Sequence, residues 1–333
     1  MLDIPRMERI RLTPKPWAQR LFGNAFLGPC YKLPRRVQID FEGAERIPDH
    51  PVIFAMNHTD RYNYFPFQYR LWKERDRMTA TWVKGKYYES AFAGMFLELT
   101  SNLPAVSRGY ILTKDFMVAM GRRPTEEEYA LLRSWAAAAS LSGGEAPPAP
   151  EGVPPELLTR PRDMLGRRFD PSKESYIEAI EAVFSTMTRL FYELNVEAFR
   201  QGLDLLIFPQ GTRSIRLSRG RIGISQIALR LKKTIVPVGC NGSDRVHPGS
   251  SPWPKGGRIV YRFGEPITYE QMERWHIDEP FEPFTPQAEA KHRDRFQGLV
   301  DHVMERIEPL LDEEYRFSQD RESQGVRGTD RFV

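Results

Sequence analysis

The chain is 333 residues long, 41% hydrophobic and 28% charged, with 48 Lys and Arg against 44 Asp and Glu for a net charge of +4. That length and a mean hydropathy of −0.51 describe a soluble globular protein with room for a large core, in one elaborated domain or two. They exclude a membrane-spanning chain, because no run nears the roughly 20 apolar residues of a transmembrane helix.

Met1–Arg9 lacks the apolar core of a secretory signal. The two cysteines, Cys30 and Cys240, make neither a disulfide framework nor a zinc site, so a reducing, cytoplasmic compartment is expected. Residues 1–36 carry eight basic side chains (Arg6, Arg9, Arg11, Lys15, Arg20, Lys32, Arg35 and Arg36) against Asp3 and Glu8. Between them stand Trp17, Leu21, Phe22, Phe26, Leu27 and Tyr31. A basic, aromatic-laced segment suits the surface of an anionic membrane, where each cation contributes about 1 kcal/mol. A helix packed on the domain with its arginines solvated fits the same pattern. No nucleic-acid motif accompanies the charge, so nucleic acid is not an expected partner.

Val37–Phe41 alternates apolar and polar residues as a strand does, and Ile47–Pro51 is turn chemistry. Val52–Met56 is an unbroken apolar run, the pattern of a strand buried on both faces of a parallel sheet. His58 stands just past its C-terminal end, where open α/β sheets place their ligand sites. Residues 62–76 form an aromatic-rich helix, Thr79–Val83 a strand, Ala91–Leu99 a helix, and Leu103 opens a short strand running to Arg108. Thr125 and Glu128 make a capping box for a helix through Trp135 and Ala136–Ala139. Ser142–Pro155 has the Pro/Gly composition of a linker. Ile177, Ile180, Val183, Met187, Leu190 and Leu194 recur at helical spacing between Ser172 and about Gln201. Strands follow at Leu203–Phe208, Thr234–Gly239 and Arg258–Gly264, with a helix near Gly223–Lys232 and a terminal helix over Gln287–Tyr315. The alternation implies an α/β fold with a mostly parallel central sheet flanked by helices. The chain divides into a basic N-terminal segment (1–36), a main domain (37–268) interrupted at about 112–170, a C-terminal helical segment (269–317) and a charged tail (318–333) expected to be disordered.

Among six histidines, His58 is the candidate base, since imidazole accepts a proton near neutral pH. About 150 residues downstream comes Phe208-Pro209-Gln210-Gly211-Thr212-Arg213-Ser214. Asn57-His58 followed by this string resembles the signature of the glycerolipid acyltransferases, which include the 1-acylglycerol-3-phosphate acyltransferases. That family carries N-H-x-x-x-x-D and then F-P-E-G-T-R-S, and the second block here agrees at six of seven positions. The resemblance covers roughly residues 37–110 and 200–268. It implies a peripheral enzyme on the inner face of a membrane, with His58 deprotonating the hydroxyl of a glycerol phosphate or lysophospholipid for attack on an acyl thioester of coenzyme A or acyl carrier protein. No metal or other cofactor is implied.

By the same resemblance, Arg213, with the Gly211-Thr212 turn and Gln210, binds the acceptor phosphate, helped by Arg108 and Lys84, and Val236-Pro237-Val238 shapes the acyl pocket. The last of these reads equally well as a core strand. The resemblance lapses over 112–170, an insertion that suits a lid or a surface excursion. Two departures touch the chemistry. Asn63 stands where the family has the Asp that orients the histidine; its amide oxygen can accept a hydrogen bond, but its NH2 could fix the wrong tautomer. Either Asn63 suffices, or Asp60 takes over, or the protein is a catalytically weak or inactive lipid-binding relative. Gln210 replaces a Glu, which removes a negative charge and admits an amine-bearing or neutral acceptor.

Overall fold

The apolar run ending at Met56 forms the central strand of a seven-stranded sheet in a computed structural model that describes residues 1–33, 36–142 and 147–323. The strands in chain order are β1 (Val37–Glu42), β2 (Ile53–Met56), β3 (Thr79–Lys84), β4 (Leu103–Ala105), β5 (Arg162–Met164), β6 (Arg167–Phe169), β7 (Asp204–Ile207), β8 (Ile235–Asn241) and β9 (Gly257–Phe263). The large sheet has the order β1-β9-β8-β2-β7-β3-β4, and β5 and β6 form a separate antiparallel hairpin. From β8 to β4 all pairs are parallel; β9 runs antiparallel to β8 and parallel to β1. The fold is therefore α/β with a mostly parallel sheet. β1 does not pair with β2, although only a short turn region separates them in sequence.

The helices are α1 (Ile4–Arg9), α2 (Trp17–Phe22), α3 (Gly28–Lys32), α4 (Tyr64–Arg75), α5 (Ala91–Leu99), α6 (Arg108–Met120), α7 (Glu126–Ser142), α8 (Pro155–Thr159), α9 (Tyr176–Arg200), α10 (Gly223–Leu231), α11 (Ser243–Val246) and α12 (Pro286–Ile307). They cover both faces of the sheet. Ile53 and Ala55 of β2 join the cluster that holds α9, α10 and α12, while Phe54 and Met56 join the one that holds Phe67 and Leu71 of α4. A strand buried on both sides cannot show a polar face, which is why its sequence is apolar throughout. The helix starts are written locally: Ser175 and Glu178 form a capping box on α9, and Thr125 and Glu128 bond reciprocally before α7.

Three expectations are corrected by packing. The segment 112–170 is neither a lid nor a surface excursion: Leu112, Phe116, Leu132, Trp135, Leu157, Met164 and Phe169 are buried in the main core against α9. An internal ion pair, Arg162 to Asp115, ties the hairpin to α6, with Nε–Oδ1 at 2.8 Å and Nη2–Oδ2 at 2.6 Å. Residues 143–146 of the expected linker lie outside the described residues. The N-terminal segment turns its first apolar residues inward, with Leu2, Ile4, Met7, Ile10 and Leu12 in the core. Apart from Met1, its exposed large apolar side chains lie in its second part, Trp17 and Leu21 on α2 and Leu33 beyond α3. The first residues of the tail are paired: Arg219 N donates to Arg321 O at 3.0 Å, and Ser323 Oγ lies 2.9 Å from Thr212 Oγ1. Residues 324–333, where the rest of the expected disorder falls, lie outside the described residues.

Candidate functional site

Parallel pairing of β2 with β7, Ile53 opposite Leu205 and Ala55 opposite Ile207, brings both motifs to one end of the sheet. Asn57-His58 leaves β2 there, and Phe208–Ser214 leaves β7 beside it. Two hydrogen bonds lock the turns: Ser214 N donates to His58 O at 2.8 Å, and His58 N donates to the Gln210 side chain at Oε1, at 2.9 Å. Asn57 holds the next strand, giving Nδ2–H to Cys240 O at 3.0 Å and taking Cys240 N–H on Oδ1 at 2.7 Å. The bottom of the site is thus rigid backbone from three strands.

Asn63 precedes the first residue of α4, yet its side chain does not cap that helix. Its Nδ2 donates to Asn57 O at 2.9 Å, which turns Oδ1 toward His58 Nδ1 at 3.2 Å. Tyr261 Oη bonds Asn63 O at 2.6 Å and steadies the same residue from β9. An amide oriented in this way accepts a hydrogen bond from Nδ1–H, so the imidazole is the Nδ1–H tautomer and Nε2 is the basic atom. The wrong-tautomer alternative for Asn63 is closed by the Asn57 carbonyl. The Phe208 ring stacks on the imidazole, with centroids 4.0 Å apart and planes 18° from parallel. Burial, opposed by the Asn63 hydrogen bond and aided by the charges of Arg213 and Lys84, pushes His58 down to about 3. It is neutral throughout the ordinary pH range.

His58 opens on a cavity of about 540 Å³, within the size of small-molecule sites, roughly 300–1,000 Å³. Its apolar wall comes from Phe65, Trp82, Val83, Phe96, Leu97 and Phe208. Lys84, Gly211, Thr212 and Arg213 line it beside His58, as do Arg61 and Lys86. Gly211 adopts φ +68°, a left-handed conformation that a side chain would strain, and this turns the chain so that Arg213 faces the cavity. Thr212 is largely buried, its Oγ1 within 2.9 Å of Ser323 Oγ.

Six expected residues lie elsewhere. Asp60 is buried and accepts from Tyr62 N at 2.7 Å and Thr59 Oγ1 at 3.0 Å; it shapes the turn and makes no contact with the imidazole. Burial raises its carboxyl above the usual range. Arg108 is not at the end of a strand but is the first residue of α6, where it donates two hydrogen bonds to Glu181, at 2.6 and 3.1 Å, and lies over Phe184. Gln210 is 1% exposed and does not face the acceptor side. Its Oε1 serves His58 N, while Nε2 reaches Arg216 O at 3.3 Å and Ser218 Oγ at 3.2 Å. Val236, Pro237 and Val238 sit inside β8, with both valines in the core under α4, so β3 and α5 build the cavity wall instead. Sequence reasoning missed Phe208 as a stacking partner and Trp82 as a wall; Trp82 alternates with apolar neighbours in β3 and carries no signal that separates wall from core.

On the cavity's outer side, α5 turns Ala93, Phe96 and Leu97 inward and leaves Phe92 at 77%, Met95 at 50% and Leu99 at 42% exposed. Phe22 of α2 packs edge-on against Phe96 at 4.9 Å, which sets α2, with exposed Trp17 and Leu21, beside that face. Among the described residues no helix is long and apolar enough to cross a membrane.

No known family model and no curated protein matches this chain. Among solved structures it is similar to the 1-acyl-sn-glycerophosphate acyltransferase of Thermotoga maritima, at 12% identity and a TM-score of 0.40, over 90% of this chain and 78% of that one. A likeness of that size carries no argument about function, which rests on the geometry above.

Proposed function

We propose that this protein transfers a fatty acyl group from a thioester of coenzyme A or acyl carrier protein to a hydroxyl of a phosphate-bearing glycerolipid acceptor, glycerol phosphate or a lysophospholipid, as in phospholipid biosynthesis. One observation carries the reading: a tautomer-fixed His58 beside Arg213 at the mouth of a largely apolar cavity. An acyl chain suits the apolar wall, and a guanidinium suits a phosphate through paired hydrogen bonds. The acceptor hydroxyl gives its proton to His58 Nε2 as its oxygen bonds to the thioester carbonyl carbon. The carbon–sulfur bond then breaks, and the leaving thiolate takes the proton back from His58. Proton transfer by a positioned group of this kind supplies roughly 10²–10⁴-fold.

The protein works at a membrane surface in this scheme, without spanning it. The exposed apolar side chains of α2 and α5 face the lipid, with Arg20 and Lys15 alongside. The proposed contact is residues 17–21 and 92–99, and the exposure of their apolar side chains supports it over the whole basic segment.

A second reading, a lipid-binding protein that does not turn over, is favoured by the neutral Asn63. Acceptors without phosphate lose their support, since Gln210 is engaged inside the turn. Purified protein with labelled acyl-CoA or acyl carrier protein and a panel of lysolipids separates the readings. Product above background that falls at least tenfold in His58→Gln is expected; no product, or an undiminished variant, defeats the transferase reading.

A further inference from the structure

Acyl transfer through a histidine base passes through an imidazolium, and that positive charge needs a counter-charge in a half-buried site. Among the described residues, the elements around His58 supply none. Asn63 at the start of α4 is neutral, Phe208 is a hydrocarbon ring, and Gln210 is an amide. The carboxylate of Asp60, two residues along, is turned to Tyr62 N and Thr59 Oγ1. The charged groups that do line the cavity are Arg61, Lys84, Lys86 and Arg213, and among the described residues no carboxylate lines it. Arg213 makes no hydrogen bond or ion pair with any described residue. Among the described residues, the cavity thus sets Arg213 and no carboxylate beside a group that must itself become positive.

Resting on the proposed acyl transfer, we infer that the acceptor's own phosphate supplies the counter-charge that no described residue gives His58. The anion held by Arg213 neutralises the cations that oppose protonation and stabilises the imidazolium as the hydroxyl is attacked. The phosphate is then part of the catalytic apparatus as well as a handle for binding. A phosphate-bearing acceptor is selected through kcat, because without the anion the base stays too weak even when the site is full. Each step balances as already written: the proton moves from acceptor hydroxyl to Nε2 and on to the thiolate, and the phosphate changes neither its bonds nor its protonation.

The test is a titration of the six histidine Cε1–H resonances by NMR between pH 4 and 8, with His58→Gln to assign the one of interest. Sulfate, a dianion throughout that range, is the probe, and chloride at matched ionic strength is the control. In chloride, His58 stays neutral across the window. In sulfate its midpoint moves up by about one to three pH units, as an opposite charge at contact distance does. Arg213→Ala removes the sulfate-dependent part. The inference is overturned if sulfate leaves the His58 titration where chloride leaves it, or if the rise survives Arg213→Ala. A kinetic arm compares a lysophosphatidate with the matching monoacylglycerol at saturation: a tenfold or larger loss in kcat is expected, and a loss confined to KM refutes the role in catalysis. Absence of any acyl transfer would defeat the proposed function, whereas the titration still decides the coupling between anion and base.

Discussion

Asn63→Asp exposes the balance of forces at the base. The new carboxylate would lie where Asn63 Oδ1 now sits, 3.2 Å from His58 Nδ1. Two unit charges about 4 Å apart attract by about 4 kcal/mol at an effective dielectric constant of 20, and a neighbouring opposite charge shifts such groups by roughly one to three pH units. His58, now near 3, should therefore titrate at about 5. The amide's other half counts against the change. Asn63 Nδ2 donates to Asn57 O at 2.9 Å, and a carboxylate would set two acceptors face to face there. Losing a buried donor costs about 1–3 kcal/mol. The variant is expected to be less stable by that order yet faster, by roughly ten- to a hundredfold in kcat, because the imidazolium gains a fixed counter-charge. Thermal unfolding reads the first effect. The pH dependence of kcat/KM reads the second, since it reports the free enzyme's base: the wild type should be flat from pH 5 to 8, and the variant should lose activity below about pH 5. A variant with an unmoved pH profile and undiminished stability would show that Asn63 neither orients His58 nor holds Asn57.

Gln210→Glu should destabilise the protein by about 2 kcal/mol at pH 7, since a carboxylate oxygen would meet the Arg216 carbonyl that Nε2 now bonds; the deficit relative to wild type should shrink on acidification, as the raised carboxyl takes a proton, and urea unfolding at pH 7 and 5 measures it. His58 and His247 are both pushed down by burial, from 6.5 to about 3 and about 4. Between those values and 6.5 the unfolded chain binds more protons, so acidification should cost about 1.4 kcal/mol per pH unit for each histidine. Neither ring nitrogen of His247 has a hydrogen-bond partner among the described residues, and His247→Phe should flatten the pH 7 to 5 stability slope; an unchanged slope would assign the acid sensitivity elsewhere. Trp17→Ser with Phe92→Ser should weaken flotation with anionic vesicles several-fold and leave the thermal midpoint unchanged, because both side chains are mostly exposed; equal flotation would move the membrane contact off α2 and α5.

What the sequence determined by itself was local or periodic. The apolar run before Asn57, the i, i+3, i+4 pattern of α9 and the capping box at Thr125 each state their structure within one element, and the alternation of elements states the α/β class. His58 and Arg213 stand in the two short strings that carry the resemblance, and the fold sets both on one cavity. The tertiary structure alone decided which neighbours those residues have. Asn63 and Asp60 are three residues apart with similar side chains, and only the Asn57 carbonyl and the Tyr62 amide determine that one orients the histidine while the other closes a turn. Gln210 lies inside the most legible motif of the chain, yet its partners Arg216 and Ser218 are loop residues without a pattern. Arg108 reads as an anion contact until Glu181 arrives from a helix 73 residues away. Composition likewise could not separate a basic segment that meets a membrane from one that packs, because Leu2, Met7 and Trp17 are alike in hydrophobicity and differ only in whether a core lies opposite them. Burial is a property of the partner as much as of the residue, and long-range pairing chooses the partner.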